Sequence, residues 1–286
     1  MTTRKICSWA LKGGAGKTFV AANLGYALQR VGHKIGFTDA DVTGPKLPGF
    51  LGMTRPYPYP KVDVEKVEKY PALWNGFEVY SLAFEFDGAV MLKGGEEKIR
   101  AFGHEYEIHG TGIYNLVKNT LEHLKYSDDL DYLIYDLPPS TSDSVLSLFE
   151  NIKDLYGVIL VCQPTGQAID DMERAVDLLI KRRLPVIGMV GNMTHVSCPA
   201  CSHEFYPFAE NSINLMQFCK DNGIPYLMGV PLTRDKYAID VQFDLLAKIV
   251  DVSNPIKLSD VPLPKRLGQM VLRKAVESMV NNTANE

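Results

Sequence analysis

Long hydrophobic runs are missing from this sequence. The most apolar stretches, such as Tyr156–Cys162 with Gly157 inside it, fall well short of the roughly 20 apolar residues that cross a bilayer as a helix. Cysteine is scarce. Five residues in a chain of 286, an odd number at low density, exclude the disulfide framework of a small secreted domain. There is no excess of basic charge. Thirty Lys and Arg stand against 34 Asp and Glu, a net charge of −4, so a global nucleic-acid-binding signature is absent. An apolar leader is also missing: Met1-Thr2-Thr3-Arg4-Lys5 runs straight into a strand-like segment, and a cytoplasmic location is expected. Neither an internal repeat nor a low-complexity segment occurs.

What is present is alternation. Short apolar runs, namely Lys5–Leu11, Lys34–Thr38, Phe77–Leu82, Asp131–Tyr135, Tyr156–Cys162, Pro185–Gly191 and Tyr226–Val230, read as strands. Between them Thr18–Arg30, Gly112–Leu124, Ser142–Ile152, Ala168–Arg182, Ser212–Asn222 and Asp240–Val250 have helical spacing. Strands alternating with helices of this length predict an α/β fold: a mostly parallel, doubly wound sheet with helices on both faces. Residues 1–250 are expected to form this domain. Two segments, near 53–75 and 93–109, break the period and read as insertions on the rim. Residues 251–286 read as a C-terminal helical tail.

The first chemistry-bearing segment is Lys12-Gly13-Gly14-Ala15-Gly16-Lys17-Thr18. It stands between the first predicted strand and the first predicted helix. The usual phosphate loop, G-x-x-x-x-G-K-[ST], has glycine where this chain has Leu11. The chemistry survives the change, because small residues let backbone N–H groups wrap a phosphate at a helix N-terminus. Lys17 is placed to reach the β- and γ-phosphates and the Thr18 hydroxyl to bind Mg²⁺. Phe19 follows as the next residue of the nucleotide-binding stretch.

Two further strand ends deliver carboxylates. Asp39-Ala40-Asp41 follows the second strand, and Asp41 is a candidate for orienting or deprotonating a water that attacks the γ-phosphate. Asp131-Tyr132-Leu133-Ile134-Tyr135-Asp136 ends in a carboxylate suited to Mg²⁺, usually through water. Asn192, at the end of the strand before it, carries both an amide donor and an acceptor and can read an adenine edge.

The segment His195-Val196-Ser197-Cys198-Pro199-Ala200-Cys201-Ser202-His203 holds a C-x-x-C pair on a polar stretch. Zinc or an iron–sulfur cluster usually takes four protein ligands, and the pair supplies two. A second copy of the chain can complete the set. His195 and His203 can close a zinc site within one chain, or the pair can act as a redox dithiol. Cys7, Cys162 and Cys219 fall in predicted strands and a helix and read as core residues.

Taken together, Lys12–Thr18, Asp39–Gly52, Asp131–Asp143 and Gly191–Glu204 resemble the Mrp/Nbp/ApbC family of iron–sulfur cluster carrier ATPases, within the deviant Walker A group of P-loop NTPases. Gly223–Leu232 also fits that family's late strand. The resemblance implies ATP as nucleotide, Mg²⁺, slow hydrolysis, and a homodimer in which Lys12 reaches the partner's nucleotide. Gly13, Gly14, Ala15, Gly16, Lys17, Thr18 and Phe19 would contact the nucleotide, with Asn192 and Pro231 near the base. Lys12, Lys17, Asp41 and Asp136 would be the catalytic residues. Cys198 and Cys201 of both subunits would hold a labile 4Fe–4S cluster for transfer to apo iron–sulfur proteins. The chain departs from the family pattern at Ser140, where glycine is usual. Two other readings compete. A MinD/ParA-like positioning ATPase that binds membrane or DNA would use Leu267, Met270, Val271, Lys274 and Met279 in a surface helix, but a helix packed on the domain is the preferred reading of that tail. An ATPase with a structural zinc site is the other. No nucleic acid partner and no stable membrane association are expected.

Overall fold

Strand β1, Arg4–Trp9, buries its last four residues on both faces, as do all five residues of β2, Ile35–Asp39. Unbroken burial of this kind marks parallel strands covered on both sides. The computed structural model of the 286-residue chain describes residues 2–41, 44–58, 60–84, 91–93, 96–101, 104–108, 118–139, 143–198, 200–201, 203–207, 209–233 and 236–260.

After β2 come β3, Lys61–Asp63, β4, Glu68–Tyr70, β5, Ala72–Trp74, and β6, Phe77–Ser81. Next come β7, Met91–Lys93, β8, Glu96–Ala101, and β9, His104–Ile108. The chain continues through β10, Tyr132–Asp136, β11, Leu155–Cys162, and β12, Pro185–Asn192. It ends with β13, Val196–Ser197, β14, Glu204–Phe205, β15, Tyr226–Val230, and β16, Ile256–Lys257. The main sheet runs β15-β12-β11-β1-β10-β2-β6-β5, with β16 also on β12. Its strands from β15 to β6 are parallel, and β5 and β16 add antiparallel. β1 lies between β10 and β11, so the chain winds outward in both directions from the strand that carries the glycine-rich loop.

The helices are α1, Lys17–Arg30, α2, Leu47–Phe50, α3, Asp143–Asn151, α4, Gly166–Lys181, α5, Ala209–Asn222, and α6, Lys236–Asp251. One core cluster joins α1 and α6 to Ile6, Phe37, Ile134 and Val161. A second, on the opposite side of the strands, joins α3, α4 and α5 to Cys7, Trp9, Tyr135 and Leu160. The expected three-layer fold is therefore present. Of the helix expected at Gly112–Leu124, residues 118–123 are described and helical, Leu124 forms an isolated bridge with Lys69, and residues 112–117 lie outside the described residues.

The structure adds detail in three places, the first within the segment 53–75. β3 and β4 form a hairpin, and β5 turns through Asn75 and Gly76, both at positive φ, to pair with β6 as an added edge strand. The segment 93–109 lies largely in a three-stranded antiparallel sheet, β7-β8-β9. Strands of three residues show too few alternations for a period to be read through so many charges. Past residue 250, Ile256 pairs with Val186 in the main sheet, and Leu258 is fully buried. Residues 261–286, with the proposed tail helix, lie outside the described residues. Among the described residues no helix is long and apolar enough to cross a membrane.

Candidate functional site

β1 ends at Trp9, the loop follows, and α1 begins at Lys17 with Gly16 as its N-cap. Gly16 has φ 94°, and a Cβ there would lie 2.0 Å from Asn192 Nδ2. Only glycine meets both conditions. No side chain caps this helix end and no acidic residue stands in its first turn. Its free N–H groups and positive dipole end therefore suit an anion. Ser8 Oγ donates to Lys17 O at 2.9 Å and fixes the first turn against β1.

Lys17 is 6% exposed. Burial pushes its ammonium below the usual range, opposed by the carboxylates of Asp136 and Asp41. Thr18 Oγ1 donates to Asp136 Oδ2 at 2.6 Å. Asp136 Oδ1 is buried and has no hydrogen-bond partner among the described residues. Burial pushes the Asp136 carboxyl up to about 7, with the Thr18 hydrogen bond and Lys17 pulling it back. A hydroxyl and an unpartnered carboxylate oxygen form the hard donor set that a divalent cation takes, so Thr18 and Asp136 fit the expected Mg²⁺.

Asp39 is fully buried at the end of β2. It accepts from Ser81 Oγ at 3.0 Å, from Leu47 N at 3.2 Å and from Asp41 N at 3.2 Å. Burial first, then the charges of Asp136 and Asp41, raise it well above the usual carboxylate range. It thereby ties both ends of the loop that carries Asp41, which itself accepts from Gly44 N at 3.2 Å.

Asn192 is 2% exposed, and its Nδ2 donates to Ala15 O at 2.9 Å. The amide expected to read a base thus has one of its two N–H donors on the phosphate loop. The Phe19 ring packs edge-on against Phe243 and Phe50. Pro231 is buried just after β15. Lys12 stands on the rim, where Nζ donates to Gln167 Oε1 at 3.3 Å.

Beyond Asn192 the chain enters the β13–β14 hairpin, which carries the C-x-x-C pair. Cys198 N donates to His203 O at 2.9 Å. Backbone N–H groups of Ala200 and Cys201 hold the Cys198 thiol below its usual range, which favours the thiolate, the form that binds metal. Cys201 is exposed, whereas Cys7, Cys162 and Cys219 are buried. Burial pushes the Cys162 and Cys219 thiols up to about 12. His195 is turned inward against Thr194 and Tyr206, and no group of three or more His, Cys, Asp or Glu among the described residues could hold a metal ion.

A family profile described as NUBPL iron-transfer P-loop NTPase matches residues 2–254. The chain belongs to that family. The iron–sulfur cluster carrier protein of Aquifex aeolicus is 30% identical over 275 residues, spanning 94% of this chain and 67% of that protein. A cytosolic Fe-S cluster assembly factor NUBP2 homolog of Nematostella vectensis is 31% identical over 231 residues, spanning 77% and 76%. Among solved structures, the nucleotide-binding protein of Archaeoglobus fulgidus in complex with ADP superposes with a TM-score of 0.59 at 22% identity, covering 92% of this chain and 93% of that one. The septum site-determining protein MinD of Pyrococcus horikoshii, complexed with Mg-ADP, gives 0.56 at 20% identity, covering 87% and 96%. These two likenesses show the fold.

In this member of the NUBPL iron-transfer family the loop, Lys17, Thr18, Asp41 and Asp136 converge at the carboxyl ends of β1, β2 and β10. Cys198 and Cys201 stand apart from them, on the hairpin beyond β12. Gln163 is a residue that sequence reasoning missed. At the end of β11 its Nε2 donates to Gly14 O at 3.1 Å and approaches Met193 Sδ at 3.1 Å. Its place at a strand end was the only available signal.

Proposed function

We propose that this iron-transfer P-loop NTPase binds and slowly hydrolyses ATP, and that it carries a labile 4Fe–4S cluster between the C-x-x-C pairs of two copies for delivery to apo iron–sulfur proteins. One observation carries the reading. The pair Cys198–Cys201, with Cys201 exposed and the Cys198 thiol held below its usual range by backbone N–H groups, lies on the hairpin that follows the strand whose last residue, Asn192, is bonded to the phosphate loop. Soft sulfur donors suit the cluster, and its four ligand positions match two pairs. The cluster is cargo, so exposure favours release.

At the nucleotide end the loop N–H groups and Lys17 bind the phosphates. Thr18 and Asp136 would hold Mg²⁺, which neutralises charge on the β- and γ-phosphates when bound. Asp41 orients the attacking water and accepts its proton. Asp39 keeps the Asp41 loop in place through its bonds to Leu47 N and Ser81.

Anaerobic reconstitution with iron and sulfide tests the cargo. The expected result is about four irons per dimer with a visible sulfur-to-iron absorption band, lost in Cys198→Ala and in Cys201→Ala. Stoichiometric zinc on a monomer, lost in His203→Ala, would overturn it.

A further inference from the structure

Only two residues separate Asn192, bonded to the phosphate loop, from His195, at the foot of the cysteine hairpin. All three polar side chains along this path are buried: Asn192 at 2%, Thr194 at 3% and His195 at 7% exposure. Thr194 is pinned to the next strand, its N donating to Val230 O at 3.0 Å and its Oγ1 to the same oxygen at 3.3 Å. Thr194 Oγ1 also lies 2.9 Å from His195 Nδ1. The His195 ring then turns to the hairpin. It stacks on Tyr206 at 5.2 Å between centroids, with Nε2 3.7 Å from Glu204 Oε1. Tyr206 OH donates to Glu204 Oε2 at 2.6 Å, so the two hairpin residues brace each other around the imidazole. On the main chain, Leu232 N donates to His195 O at 2.7 Å.

The geometry points to His195 as a positioning residue that locks the C-x-x-C hairpin to the nucleotide-bearing strand, so that nucleotide in the loop changes the setting of Cys198 and Cys201. The physical reason lies in the neighbours. A buried polar ring is fixed by its partners. Here one set of partners belongs to the β12–β15 frame and the other to the hairpin, so a shift of Asn192 on the loop is passed on as a shift of the hairpin rather than absorbed between them. Such a path is physical only if perturbing it changes the coupling between the two sites. The inference rests on the nucleotide-binding half of the proposed function and is independent of the cargo.

The test is the rate at which Cys198 and Cys201 react with a maleimide, measured with and without Mg-ADP by mass spectrometry of the labelled peptide. ADP affinity is measured separately by calorimetry. In the wild type, saturating Mg-ADP is expected to change the labelling rate by about threefold or more. In His195→Leu the ratio should fall to one while ADP affinity stays within about twofold of wild type, since the ring touches no loop residue. His195→Asn, which keeps a polar atom near Thr194, should restore part of the ratio, an outcome that a purely structural role would not produce. Tyr206→Leu removes the stack and the hydrogen bond to Glu204 but keeps the His195 contact with Thr194, so it should lower the ratio without abolishing it, and it carries the test if His195→Leu fails to fold. ADP that binds to the wild type without altering labelling would overturn the inference and leave nucleotide binding standing. So would an unchanged ratio in His195→Leu or, if that variant fails to fold, in Tyr206→Leu. Failure of ADP to bind would overturn both.

Discussion

Thr18 Oγ1 donates to one oxygen of Asp136 at 2.6 Å, while the other oxygen of that carboxylate is buried with no partner among the described residues. A buried, half-satisfied carboxylate is costly unless something else completes it. Protonation removes its charge in the free protein, and the proposed Mg²⁺ would compensate that charge with nucleotide bound. The two would compete for the same carboxylate.

A pH dependence follows. Asp136 is raised from an ordinary 3.8 to about 7. Between those values the folded chain holds a proton that the unfolded chain has released, so this group adds stability below about 4 and that contribution is lost as pH rises through 7. Chemical denaturation of the ligand-free protein at several pH values should show the slope, flattened in Asp136→Asn. Affinity for Mg-ADP should move the opposite way, weakening by up to about tenfold per unit as pH falls below 7. Affinity in buffer without divalent cation should change less.

Lys17 and Asp41 separate binding from turnover. Lys17→Ala removes the buried ammonium that the phosphates need and should weaken nucleotide binding by about 100-fold or more. Asp41→Ala removes no phosphate contact, so it should keep affinity within a few-fold and lose turnover by about 100-fold. Calorimetry for binding and phosphate release for turnover distinguish the two. Wild-type hydrolysis in both variants would remove the assignment.

The glycine-rich loop and the two strand-end carboxylates were legible in the sequence because their chemistry demands local patterns: small residues before Lys17, and an apolar strand ending in Asp136. The contacts of Asn192, Gln163 and His195 were not legible. Asn192 meets Ala15 across 177 residues of chain, and a single polar residue at a strand end carries no local signature of what it touches. The sheet between 53 and 75 was hidden for a different reason. β5 is three residues long and gains its strand character from pairing with β6, a tertiary effect that no window of sequence contains.

Packing also decides a glycine that propensity alone would misjudge. Gly25 sits in the middle of α1, where alanine would favour the helix by about 1 kcal/mol. A Cβ there would lie 2.1 Å from Phe37 Cζ, in the core between α1 and β2. Overpacking of this kind costs about 1–3 kcal/mol, so Gly25→Ala should destabilise the protein and lower its Tm by a few degrees. The same substitution in a Phe37→Leu background should cost less, because the clash is with the ring. An increase in Tm for Gly25→Ala alone would show that the ring moves aside freely.

Lys12 distinguishes action within one chain from action between two. Its Nζ donates to Gln167 of its own α4 at 3.3 Å, on the rim of the loop. The expected role is on the nucleotide of a second copy. Lys12→Ala and Lys17→Ala, each assayed alone, should have little hydrolysis. Mixed in equal amounts and allowed to re-associate, about half of the dimers should contain one subunit of each kind. In a mixed dimer the subunit with intact Lys17 receives Lys12 from its neighbour, so one of its two sites works, and the mixture should recover about a quarter of wild-type phosphate release. If Lys12 serves its own nucleotide, neither subunit of the mixed dimer holds a complete site and nothing is recovered. Native mass spectrometry of the mixture establishes that mixed dimers form, so that an absence of recovery reads as action within one chain.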